Sequence, residues 1–165
     1  MAAVLVSVAA ILMVVAGAAK VVRPEPAANA LGVLGIGAAP LAIRLGAGLE
    51  VLIGLAALVA PGPLAALALG ASYLGFAAFV LVLRAKPGAE SCGCFGADDE
   101  PPSLRHVVVD ALLGAGCLLA AATGAASAGS LLRADWVEGA VFVVLSATAA
   151  WLVGLVLRHA RWATS

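Results

Sequence analysis

"RLGAGLEVLIGLAALVAPGPLAALALGASYLGFAAFVLVLR", residues 44–84, decides the fold. Two apolar runs lie either side of Ala60-Pro61-Gly62-Pro63. A helix needs about 20 residues to cross a hydrocarbon core of about 30 Å, and each run is that long. Pro-Gly-Pro forces a tight turn, so the runs are expected to form an antiparallel helical hairpin. Working outward, comparable runs occur at 2–22 and 107–126, and a last one at 137–157; the central pair is 41–60 and 64–83. None alternates with period two, and all are rich in Ala, Leu, Gly and Val, which favours helices over a barrel. The first run lacks a positive flank before it, and Lys20 and Arg23 follow it, so it reads as a retained helix and not as a signal peptide.

The whole composition agrees. Of 165 residues, 64% are hydrophobic and 11% charged, and mean hydropathy is +1.16. A soluble domain has only about 45–50% apolar and about 25% charged residues. A core this small cannot hide the excess, so the solvent is lipid. Nine basic and nine acidic residues cancel, which argues against nucleic acid. The expectation is an all-α membrane protein, one polytopic domain over 1–165, built as a compact bundle of about five transmembrane helices. Gly46 and Gly54, flanking Glu50, and the stripe Gly116, Ala120 and Gly124 are expected to let helices approach closely.

Charge gives orientation. The connections 23–40 and 84–106 and the C-terminal tail share one side, with Lys20, Arg23, Arg44, Arg84, Lys86, Arg105, Arg158 and Arg161; the other side has Arg133. The positive-inside rule places that basic side in the cytoplasm. It carries "ESCGCFGADDEPP", residues 90–102.

In Cys92-Gly93-Cys94 the two Cα atoms are about 5.5–7 Å apart, overlapping the range of about 4.4–6.8 Å that disulfides accept. Gly93 removes the Cβ that would obstruct the bend. So small a ring is strained and labile, and closes too little chain to stabilise a fold. That is the case for redox chemistry. Two readings compete with it: thiols in a plain glycine turn, and a soft-metal clamp, for which only His106 is near in sequence. Structural zinc sites want four ligands, so no metal site is assigned.

Within the membrane, Lys20, Arg44, Glu50, Asp110 and Cys117 stand out, because ionisable groups there are functional candidates by default. Glu50 lies about ten residues into its helix, roughly 15 Å deep. Arg44 is poorly placed around the same helix to reach it, whereas Lys20 approaches from the same membrane side. A packing hydrogen bond is the bland alternative for Glu50, and snorkelling for Arg44 and Lys20. Asp110 is expected to meet Arg44 or Arg105, or to complement its helix N-terminus. Cys117 reads as a small hydrophobe, Tyr73 and Trp151 as packing residues, and Trp136 and Trp162 as an aromatic belt.

These residues assemble into a pattern. "AGAAKVVRPEPAANAL", "RLGAGLEVLIGLAAL", "LRAKPGAESCGCFG" and "PPSLRHVVVDALL" together resemble the MauE / DoxX-like family of redox-associated membrane proteins, over roughly residues 10–125. Val109-Asp110 departs from the Arg-Asn pair such families often carry, and the last helix matches nothing. The resemblance implies a four-helix core plus a C-terminal helix, in a bacterial inner membrane. It implies work in forming or maintaining disulfides beside a thioredoxin-like partner, and some relatives work with quinones.

The resulting expectation is a thiol–disulfide oxidoreductase or redox relay. Cys92 and Cys94 exchange, Phe95-Gly96 hold the loop to the bundle, and Glu50 moves protons, with Lys20, Arg44, Gly93 and Asp110 in support. A soft-metal carrier and a non-catalytic assembly subunit are the alternatives.

Overall fold

The computed structural model describes residues 2–59, 62–87, 91–93, 101–124, 137 and 144–152. Its helices are α1 (Ala2–Val22), α2 (Glu25–Val33), α3 (Pro40–Val59), α4 (Pro63–Arg84) and α5 (Leu104–Thr123). All but α2 carry stretches long and apolar enough to span a membrane. The protein is an all-α bundle, as the runs predict. Of the run expected at 137–157, residues 144–152 are helical, with Ser146 and Ala150 buried in the bundle. Except for Val137, the remainder lies outside the described residues.

The polar connection 23–40 contains a helix of its own, α2. Pro24 and Pro26 look like breakers, but prolines are tolerated in the first turn, where backbone N–H groups have no intrahelical partner. Glu25, also in that turn, complements the positive end of the helix. Gly35 terminates it in the left-handed region at φ 78°. There its N–H reaches the Gly32 carbonyl at 2.9 Å and that of Ile36 reaches Leu31 at 3.0 Å. This is a Schellman stop, which glycine adopts without steric cost.

The bundle is inverted relative to a soluble one. On α3 the large side chains Leu41, Leu45, Leu49, Leu52, Leu55 and Val59 are exposed to lipid, while Ala47, Gly54 and Ala57 are buried. With no water to exclude between helices, close backbone approach drives packing, and small residues provide it. A Cβ on Gly17 would fall 2.8 Å from the Ala47 carbonyl oxygen, and one on Gly54 2.8 Å from that of Ala10, so α1 and α3 are in near backbone contact. Gly70 and Gly114 do the same for α4 and α5, each facing the other's carbonyl at 3.0 and 3.1 Å. Gly116 lies under Leu5 of α1, and Ala120 is buried, as the stripe predicts, but Gly124 only ends its helix.

The principal packing is therefore α1 on α3 and α4 on α5. Helices α3 and α4 follow each other in the chain and touch, but each packs mainly against another helix. Across the two pairs, the Tyr73 hydroxyl donates to the Ala9 carbonyl at 2.7 Å. Tyr73 also meets Phe76 edge to face, at 6.0 Å between centroids. It is buried as expected. Trp151 is not a packing residue but is 66% exposed, which suits an indole facing lipid; Trp136 and Trp162 lie outside the described residues.

Candidate functional site: an ion pair and a cysteine on one cavity

Helical side chains lean toward the N-terminus of their own helix. In the antiparallel α1 and α3, that tilt carries Lys20 inward along α1 and brings Glu50 back to meet it. Gly17, one turn before Lys20, lets α3 come close enough: its would-be Cβ lies 3.2 Å from Glu50 Cβ. Lys20 Nζ then donates to both carboxylate oxygens, at 2.8 Å to Oε1 and 2.6 Å to Oε2. Their side chains are only 11% and 17% exposed. The ammonium also sits 4.8 Å from the centre of the Phe76 ring, on the attractive face of its π-system. Lys20 is thus the partner of Glu50, and Glu50 faces helices as anticipated.

Because α3 and α4 each pack mainly elsewhere, they leave between them a cavity of about 390 Å³. Its walls are Ala42, Ile43, Gly46 and Ala47 of α3 and Ser72, Gly75, Phe76 and Phe79 of α4, with the Lys20–Glu50 pair on one side and Ala27 and Leu31 of α2 on another. Cys92 and Gly93 complete the lining. Gly46 was expected to be a close-contact residue with Gly54, but a Cβ there would meet nothing within 4 Å, so it opens the cavity instead.

The cysteine segment is held down by α2. Gly93 has φ 69°, and a Cβ on it would lie 2.5 Å from Ala27 Cα. Both the left-handed conformation and the contact demand glycine. Its N–H reaches Ser91 Oγ at 3.1 Å. Cys92 is 3% exposed and clusters with Ala30, Val80 and Leu83. Cys94, Phe95 and Gly96 lie outside the described residues.

A family model, methylamine utilisation protein MauE, matches residues 1–128. The chain belongs to the MauE family. In this MauE protein the matched region runs from α1 through α5 and includes the ion pair, the cavity and the cysteine segment. No curated protein and no solved structure shows a significant match.

The other candidates of this MauE chain fall as follows. Arg44 donates from Nε to the Val21 carbonyl at 3.2 Å, satisfying the last turn of α1. No ion pair joins it to Asp110 among the described residues. Cys117 is wholly buried in the main core and behaves as a small hydrophobe. His106 is buried, its Nδ1 2.8 Å from Ser103 Oγ at the start of α5. Among the described residues no three His, Cys, Asp or Glu side chains gather as a metal site would require. Sequence reasoning missed Ser72, Phe76, Phe79 and Ala27, whereas Gly17 lies in the Gly-x-x-Lys stretch that ends at Lys20 and carries part of the family resemblance.

Proposed function

We propose that this protein is a membrane thiol–disulfide oxidoreductase in which Cys92 and Cys94 are the exchanging pair. Its client would be a thioredoxin-like partner or a protein whose disulfides are being matured. The family's description ties its namesake to methylamine utilisation, and we extend that setting to this chain. One observation carries the reading: Cys92 lines the same cavity as the Lys20–Glu50 pair. A structural cysteine has no use for an ionisable pair on the same cavity, whereas a thiol that gains and loses a proton can use one.

The exchange balances within itself. A thiolate of a client dithiol attacks one sulfur of the Cys92–Cys94 disulfide, forming a mixed disulfide and releasing the other cysteine as a thiolate, which takes up a proton. The client's second thiolate then attacks its own sulfur in the mixed disulfide. The client leaves oxidised; Cys92 and Cys94 are left as two thiols, having gained two electrons and two protons. The reverse sequence reduces a client. Glu50 is the proton-handling candidate, and Lys20 keeps its carboxylate in place.

Alkylation of the purified protein with and without reductant, read by mass, tests this. Wild type should gain two protons on reduction before alkylation. Cys92→Ser and Cys94→Ser should each abolish the change, and Cys117→Ala should keep it. Copper or zinc retained through purification, and lost in Cys92→Ser, would point instead to a metal carrier.

A further inference from the structure

We infer that Cys92 is the membrane-facing member of the pair: small uncharged lipophilic molecules reach its sulfur through the cavity, while protein thiols are shut out. The inference rests on Cys92 and Cys94 being an exchanging pair, and it assigns a route of access to the Cys92 sulfur.

The first support is enclosure. Ala30 of α2, Val80 and Leu83 of α4, and the flanking Val33, Leu34, Phe79 and Val107 surround Cys92. Gly93 is pressed onto the backbone of Pro26 and Ala27, so α2 covers the segment directly. In-line attack by a thiol anchored on another protein needs an open approach of several ångströms, and 3% exposure does not offer one.

The second is the cavity. About 390 Å³ is room for a small organic molecule but not for a protein loop. It lies between α3 and α4, neighbours that each pack mainly against another helix. Its walls are mostly apolar, with the rings of Phe76 and Phe79, and its polar groups include Lys20, Glu50 and Ser72. An ammonium has three N–H donors, and two are directed at Glu50. A molecule entering here must shed its water, which selects against charge.

The consequence for exchange is directional. A client thiolate would attack Cys94, so that Cys92 is the sulfur expelled. Its thiolate would form facing the apolar cavity, where an uncompensated charge is costly, with the Lys20–Glu50 pair lining the same cavity.

The test uses the full chain, reduced, in lipid nanodiscs, with Cys117→Ala as background. Cys94→Ser then reports on Cys92, and Cys92→Ser on Cys94. The probes are N-ethylmaleimide and a polyethylene-glycol maleimide of several kilodaltons. Cys92 should react with the small probe and resist the large one, while Cys94 reacts with both. Gly46→Leu and Gly75→Leu place side chains where a Cβ meets nothing within 4 Å. Each should slow N-ethylmaleimide at Cys92 by about tenfold and leave Cys94 unchanged. Three outcomes overturn the assignment: Cys92 taking the large probe as fast as Cys94, Cys92 inert to the small probe, or labelling indifferent to both cavity-filling variants. If access behaves as expected but reduction changes no mass in wild type, the exchange reading fails and the access route stands.

Discussion

Lys20 and Glu50 are thirty positions apart in sequence, yet one ammonium holds both carboxylate oxygens within 2.8 Å. The pair closes α1 onto α3 at the edge of the cavity. Removing one partner of a buried ion pair strands the other and costs about 3–5 kcal/mol, while replacing both with apolar residues is often neutral. Here partial exposure favours the lower end. Lys20→Met and Glu50→Leu should each lower the unfolding midpoint in detergent, and the double variant should recover most of the loss. A double variant as unstable as the sum of the singles would show that the pair contributes no coupling.

Glu50→Gln separates structure from chemistry. It keeps the shape and one hydrogen-bond acceptor for Lys20, but cannot carry a proton as a carboxylate does. The fold should survive with thiol exchange slowed by about 10²-fold or more, the usual contribution of a positioned acid–base group. An unchanged exchange rate would leave Glu50 a packing residue.

Glycines that look alike in sequence should behave oppositely. Gly17→Val drives a side chain into the Ala47 carbonyl at 2.8 Å, and should part α1 from α3 and break the ion pair. Gly46→Ala enters open space, and should raise stability by about 0.5–1 kcal/mol through helix propensity alone. Thermal unfolding of the two variants side by side decides this.

Gly93→Ala must abandon a left-handed backbone and collides with Ala27. The segment should lift from α2, so that Cys92 becomes open to the large maleimide. Continued protection of Cys92 would mean that something other than this contact buries it.

Sidedness follows from the basic residues that share a side with the cysteine loop. An impermeant maleimide should label reduced Cys94 only after intact cells are permeabilised. Labelling in intact cells would turn the topology over.

Four of the five expected spans were legible, because an apolar run of helical length has one physical meaning in a chain this hydrophobic. The Lys20–Glu50 partnership was legible too, because both residues descend from the same membrane side. What sequence could not show is which helices pair. Apolar helices fit many neighbours, and the choice of α1 with α3 is made by carbonyl contacts at Gly17 and Gly54, whose spacing alone does not name a partner. The cavity follows from that choice, so it was missed as well, together with Phe76 and Phe79. Helix α2 was hidden by its prolines, which punctuate a sequence in most positions but not in a first turn.

The pairing of α1 with α3 also sets a schedule for biogenesis. Synthesis delivers α1 and its lysine to the bilayer well before α3 exists. Lys20 stands in the last turn of α1, where a long side chain can rest its charge among the headgroups while it waits. Glu50, short and about ten residues inside α3, has no such refuge. The order of translation thus brings in the ion that can wait ahead of the one that cannot, and the carboxylate meets a resident partner on arrival.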